Sequence, residues 1–321
     1  MTENYQALTK RECAKRLLEI EKPIVAMHVH PDADTVGTAA ALIAVFGALG
    51  REARYACADK IPDRLAFLLG GAKPAESVTE GVTVAVDVAS PSQLGSLFGI
   101  AEVALIIDHH EVSLPFAPHY TQKGASSAAE VLYGVILEIV EMTGIKLTRE
   151  IAEPLYAAIS SDSGRFSYSS VTPDTYRVAA ALIESGADHA KVNHLLFYSK
   201  APEQVAAEGI AASKTELYFG GRIAAAALSR EDMKDIAFEH FETAVEVVRA
   251  VRGVEIAFVV KETPEGKIKA SLRSTRHDVA SVAKEFSGGG HRLAAGCTVE
   301  AASVTEARDI LLRRLSLIED F

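Results

Sequence analysis

The sequence predicts an α/β protein with two domains: a parallel-sheet N-terminal domain and a smaller α+β C-terminal domain. Three observations carry this. Apolar strand-like runs alternate with helical stretches through the first half, as in a parallel sheet covered on both faces. Three of those runs end in acidic and histidine residues: 24–27 leads into His28-Val-His-Pro-Asp-Ala-Asp34, 82–86 into Asp87, and 104–107 into Asp108-His109-His110. Beyond about residue 215 the chain turns to strands broken by Gly220-Gly221 and Glu265-Gly266, which are turn signals.

In order, residues 5–21 read as a helix with Leu8, Leu17, Leu18 and Ile20 on one side, followed by the first strand. Residues 37–49 form a small-residue helix suited to close packing on a sheet. A short strand at 54–58 and a helix at 62–69 precede the strands that end at Asp87 and Asp108. Helices follow at 126–143, 149–160 and 173–186, then two polar ones at 188–200 and 202–213. Strands at 222–228, 254–261 and 267–274 and helices at 241–252, 279–286 and 302–317 complete the chain. The expected division is 1–187 for the parallel-sheet domain, 188–215 for a helical linker and 216–321 for the α+β domain, with a cleft between the two domains.

Composition narrows the function. A chain of 321 residues holds two domains at roughly 100–200 residues each. The net charge of −10, from 33 basic and 43 acidic residues, argues against coating duplex DNA, which needs many cation–phosphate contacts. A short phosphorylated substrate remains compatible, because metal ions can supply local positive charge. Cys13, Cys57 and Cys297 are odd in number and far apart, which fits reduced thiols and a cytoplasmic location better than a disulfide framework. No signal-peptide pattern or membrane-spanning run is expected.

In an open α/β sheet, reactive groups collect beyond the carboxyl ends of the strands. His28, Asp32 and Asp34 would occupy a strand-to-helix loop, where a mixed imidazole and carboxylate shell suits Mn²⁺, Fe²⁺ or Co²⁺. Asp32 or Asp34 also reads as a helix cap, and Asp87 as a cap or loop carboxylate. Asp108-His109-His110 at a buried strand end needs partners, since unpaired buried charge is costly. Ser160-Ser-Asp-Ser-Gly-Arg-Phe166 places Asp162 in a small-residue turn. In the second domain, Ser271-Leu-Arg-Ser-Thr-Arg276 and Ser287-Gly-Gly-Gly-His-Arg292 read as a phosphate cradle, with three glycines turning backbone amides towards an anion.

Together these motifs resemble the DHH family of phosphoesterases over the whole chain. His28-x-x-Pro-Asp-x-Asp34, Asp87, Asp108-His109-His110 and Ser161-Asp-Ser-Gly-x-Phe166 are similar to four N-terminal motifs. Gly288-Gly-Gly-His291 with Ala294-Ala-Gly296 is similar to the mark of the DHH-associated C-terminal domain. The resemblance is greatest to the oligoribonuclease (nanoRNase) and 3′-phosphoadenosine 5′-phosphate phosphatase branch. His30 departs from a common Asn, Ala33 from Gly, Thr38 from Ser and Ser163 from Thr, none of them a ligand.

The resemblance implies two Mn²⁺ held by His28, Asp32, Asp34, Asp87, His109 and Asp162, with Asp87 bridging. It gives Asp108 the role of orienting an imidazole, and His110 contact with the scissile phosphate or protonation of the leaving group. Arg273, Ser274, Gly288, Gly289, Gly290 and His291 would grip the substrate. The expected substrate is a short single-stranded RNA or a nucleotide, with a homodimer possible. Phosphodiesterase action on pApA or cyclic dinucleotides, family II pyrophosphatase activity, a RecJ-like exonuclease and a nucleotide sensor without catalysis are the alternatives.

Overall fold

The structure is a computed structural model and describes residues 5–318, save the side chain of His291. The chain divides into two compact units, Met1–Ser199 and Lys200–Phe321. The break falls inside the 188–215 stretch, so its helices are shared between the units.

In the first unit, β1 (Pro23–Ala26), β2 (Arg54–Ala56), β3 (Val82–Val86), β4 (Val103–Asp108) and β5 (His119–Thr121) form a parallel sheet. Their order is β2-β1-β3-β4-β5, a doubly wound arrangement whose switch point lies between β1 and β3. The two-residue period of a strand sorts its side chains between the faces. Val25, Val84, Val86, Leu105 and Ile107 enter the main core, while Ala26, Ala85 and Ile106 enter a smaller cluster with Val88, Leu94 and Ala117.

The main core is closed by α1 (Lys10–Glu19), α2 (Ala33–Ala48), α3 (Ala128–Thr143), α4 (Arg149–Asp162) and α5 (Pro173–Glu184). The smaller cluster is covered by the 3-10 segment Pro91–Leu97 and loops rather than by an α-helix. α6 (His189–Asn193) runs into a π-helical turn, His194–Tyr198. The helix expected over 62–69 is 3-10.

Two boundaries differ from expectation for clear reasons. α1 starts at Lys10 because Thr9 and Glu12 form a reciprocal capping box. The residues before it serve the sheet: Leu8 N donates to His119 O at 2.8 Å and His119 N to Gln6 O at 3.0 Å, covering the β5 edge. α2 begins four residues earlier than expected, so Asp32 is its N-cap and Asp34 stands in its first turn.

The second unit adds α7 (Pro202–Ser213), α8 (Arg230–Met233), α9 (Ala244–Arg249), α10 (Val279–Glu285) and α11 (Val304–Leu315). Its strands are β6 (Thr215–Tyr218), β7 (Ile223–Leu228), β8 (Ile256–Glu262), β9 (Ile268–Ser274), β10 (Gly289–His291) and β11 (Ala294–Val299). They lie in the order β10-β11-β9-β8-β7-β6, and only β7 and β8 are parallel neighbours. Ile256, Phe258 and Val260 pack towards α10 and α11, and Ala257 and Val259 towards α7 and α9. Among the described residues, no helix is long and apolar enough to cross a membrane.

Candidate metal centre

The switch point between β1 and β3 is where the acidic and histidine residues gather. Asp32 caps α2, its Oδ1 accepting from the amides of Asp34 (2.9 Å) and Thr35 (3.1 Å). The cap and the ligand readings of Asp32 therefore coexist, because the same carboxylate also lies 3.7 Å from His28 Nε2. Asp34 is buried against the start of α3. Its Oδ2 accepts from Ala128 N at 2.7 Å and its Oδ1 from Ala129 N at 3.2 Å and Thr38 Oγ1 at 3.1 Å. A helix N-terminus favours negative charge there.

Asp87 leaves β3 with φ of 59°, a left-handed conformation that Asp tolerates better than most residues. Its Oδ2 lies 3.3 Å from His28 Nε2 and its Oδ1 3.5 Å from His109 Nε2. His109 Nε2 also lies 3.8 Å from Asp34 Oδ2 and 3.6 Å from Asp162 Oδ2. Both imidazoles are oriented from behind: His28 Nδ1 lies 2.7 Å from Val29 O and His109 Nδ1 3.1 Å from Ala125 O. That contact leaves Nε2 as the atom that would face a cation. His110 Nδ1 lies 2.6 Å from Asp108 Oδ1.

These residues form three overlapping donor groups: His28, Asp32 and Asp87; Asp34, His109 and Asp162; and Asp87, His109 and His110. A divalent cation fits them. Asp87 Oδ1 and Asp108 Oδ2 are buried without a hydrogen-bond partner, which is costly unless positive charge comes near. The protonation balance agrees. Burial, then the charge of Asp87, pushes Asp34 up to about 7. Burial and the charge of Asp34 raise Asp162 well above the carboxylate range. For His109 burial acts downwards, but Asp87, Asp34 and Asp162 outweigh it and lift the imidazole to about 9. A proton-holding cluster of this kind exchanges protons for metal.

The expected ligands His28, Asp32, Asp34, Asp87, His109 and Asp162 thus come together, with Asp108 and His110 beside them. His30 turns away: its side chain is 90% exposed and its Nδ1 lies 3.2 Å from Asp59 Oδ2. Gly37 lies on the same helix as Asp34. A Cβ there would lie 2.5 Å from Pro154 O and 3.0 Å from Ala158 Cβ, so it sets the close approach of α2 to α4, the helix that ends at Asp162. The amides of Ala128 and Ala129 and the carbonyl of Ala125 went unread in the sequence. The pattern Ser127-x-x-Glu130 marked that helix start, and Ser127 Oγ indeed accepts from Glu130 N.

In the second unit, Arg273 Nε donates to Glu246 Oε1 at 2.8 Å. Ser274 is buried, its Oγ donating to Glu255 O and accepting from the amides of Arg276 and His277. The expected 288–291 loop is largely strand β10, paired with β11. Gly288 and Gly290 are required by that pairing, since Cβ atoms there would fall 2.2 Å from Gly296 O and 2.5 Å from Ala294 O. Gly289 faces open space, and the His291 side chain lies outside the described residues.

Fold and site together define an α/β protein built to hold divalent cations at its topological switch point. Residues 22–159 match the DHH family, N-terminal domain, and residues 233–317 the DHHA1 domain. The chain is 31% identical over 310 residues to the bifunctional oligoribonuclease and PAP phosphatase NrnA of Thermus thermophilus, covering 94% of this chain and 92% of that one. It is 25% identical over 296 residues to the protein of the same name from Bacillus subtilis, covering 90% and 93%. An exopolyphosphatase-related protein from Bacteroides fragilis shares the fold, with a TM-score of 0.88 at 21% identity over 96% of this chain and 95% of that one. This chain belongs to the DHH family of phosphoesterases.

Proposed function

We propose that this protein uses two Mn²⁺ to hydrolyse short oligoribonucleotides to mononucleotides and 3′-phosphoadenosine 5′-phosphate to AMP. The observation that carries the reading is the two-sided carboxylate of Asp87, one oxygen towards His28 and the other towards His109. His28, Asp32 and Asp87 would hold one cation, and Asp34, His109 and Asp162 the other. The Thermus and Bacillus relatives, both named as bifunctional oligoribonuclease and PAP phosphatase, support the substrate class.

When bound, a pair of divalent cations supplies a water of lowered pKa and neutralises charge on the phosphoryl oxygens. The chain's own residues do the rest. Asp108 fixes the His110 ring through Nδ1, and His110 gives a proton from Nε2 to the leaving oxygen. Burial acts against the charged imidazole, but the hydrogen bond His110 donates to Asp108 and the charge of Asp87 raise His110 above its ordinary range. In the second unit, Arg273, Ser274, Gly288, Gly289, Gly290 and His291 remain the proposed grip on the substrate. Gly289 gives open backbone access, and Arg273 would exchange Glu246 for a phosphate.

A product assay with Mn²⁺ on labelled two- to seven-residue RNAs, 3′-phosphoadenosine 5′-phosphate, pApA and pyrophosphate tests this. Release of mononucleotide and AMP much faster than splitting of pyrophosphate is expected. The reverse preference overturns the assignment.

A further inference from the structure

α4 ends in a turn with three successive residues in the left-handed region: Gly164 (φ 57°), Arg165 (φ 59°) and Phe166 (φ 61°). Helix chemistry accounts for the first. Gly164 N donates to Ser161 O at 3.0 Å and Arg165 N to Ser160 O at 2.7 Å, the paired bonds of a Schellman cap, which favours glycine at this position. Those bonds explain a left-handed Gly164 but not left-handed Arg165 and Phe166, since such a backbone is strained for residues with bulky side chains. Such strain persists where the surroundings enforce it, and it gathers at functional positions.

The enforcing contacts are visible. Phe166 N donates to Ser163 Oγ at 3.0 Å, and the Phe166 ring stacks on Tyr176 with centroids 5.4 Å apart. What the turn sets is Arg165. Its side chain is exposed, its guanidinium lies 5.0 Å from the Phe197 ring centroid, and it has no acidic partner among the described residues. This exposed cation lies three residues past Asp162, with its backbone tied back to the last turn of the same helix.

We infer that Arg165 is a substrate-binding residue that holds a second, uncleaved phosphate beside the metal centre. The inference rests on the nucleotide phosphoesterase reading above and adds a specificity determinant to it. A planar guanidinium matches phosphate oxygens with two parallel hydrogen bonds, and an aromatic face beneath it limits its freedom. Asp32, Asp34, Asp87 and Asp162 repel a polyanion, and a cation at this turn offsets that repulsion for the phosphate that is not being cleaved.

The test compares adenosine 3′,5′-bisphosphate with adenosine 3′-monophosphate, which differ only in the 5′-phosphate. KM and kcat are measured with Mn²⁺, and Kd by calorimetry in Ca²⁺ buffer, for the wild type, Arg165→Gln and Arg165→Lys. Arg165→Gln is expected to raise KM and Kd for the bisphosphate roughly tenfold or more, the scale of a charge-assisted pair. Its kcat and its constants for the monophosphate should stay within about twofold, with Arg165→Lys in between because it keeps charge without the fork. The ratio of the two Kd values within one protein does not depend on the folded fraction, so a partly unfolded variant still reports. An unchanged ratio in Arg165→Gln overturns the inference. If the wild type binds the bisphosphate through Arg165 yet cleaves neither compound, the hydrolase reading fails and this one stands. Cleavage with no dependence on Arg165 gives the opposite result.

Discussion

Asp87 and His109 lie 3.5 Å apart, Oδ1 to Nε2, and each belongs to two of the three donor groups. A residue shared between groups couples them, so its loss should affect two cations rather than one. Asp87→Asn is the informative substitution, because Asn tolerates the left-handed backbone at this position whereas Ala adds strain of its own. The variant should bind fewer than two Mn²⁺ per chain by calorimetry. Its turnover should fall on the order of 100-fold or more, since even the outer partners of metal ligands carry losses of 10–100-fold. Two tightly bound Mn²⁺ with near-normal turnover would falsify the shared-carboxylate arrangement.

The pair Asp108 and His110 makes a separate prediction. Asp108 is buried, with one oxygen 2.6 Å from His110 Nδ1. Asp108→Asn keeps the shape and removes the charge that holds the ring. If His110 protonates the leaving oxygen, kcat should drop roughly 10²–10⁴-fold, the usual weight of general acid catalysis. KM should change little, because the group acts in the transition state. A raised KM with unchanged kcat points instead to a binding role for His110.

The site was more legible in the sequence than the elements around it. Apolar runs that stop at Asp or His are conspicuous, and a parallel sheet sends such stops to one edge. What stayed hidden was the support: the α3 amides that hold Asp34 are main-chain groups, and only the Ser127 cap hinted at them. β5 is three residues long and its pattern is too short to detect. β10 hid because three glycines signal a turn, whereas Gly288 and Gly290 are there to let two backbones meet. Arg165 sat inside a motif already singled out, but its strained backbone is a property of the fold.

Glu255 sets an acid limit on the stability of the chain. Hydrogen bonds from Arg222, then His277, then Arg276 hold its carboxyl down to about 2, with burial opposing. The geometry is a fork from Arg222 (3.0 Å to each oxygen) and 2.8 Å from His277 Nε2. A carboxylate depressed in the folded state adds stability above its unfolded pKa, near 4.3, and loses it as pH falls through the folded value. The difference in melting temperature between the wild type and Glu255→Gln should therefore be flat above about pH 5.5 and shrink steadily from there towards pH 2. A difference that stays constant down to pH 3 removes Glu255 as the cause.

Gly37 tests how the metal centre depends on packing one layer away. A methyl group there would meet Pro154 O at 2.5 Å, a backbone atom in the middle of α4, and Ala158 Cβ at 3.0 Å. Neither neighbour can swing aside, so α2 and α4 must part. Overpacking of this kind costs about 1–3 kcal/mol, while Ala in place of Gly returns up to ~1 kcal/mol of helix propensity. Gly37→Ala should therefore lower stability by urea unfolding by up to about 2 kcal/mol, the difference of these opposed effects. Because α2 carries Asp34 and α4 carries Asp162, the separation should fall on the group those two share with His109. One Mn²⁺ should then bind more weakly and the other almost normally, a pattern distinct from the loss expected for Asp87→Asn. If Gly37→Ala is as stable as the wild type and binds both cations equally well, the close contact between the helices does not set the spacing of the ligands.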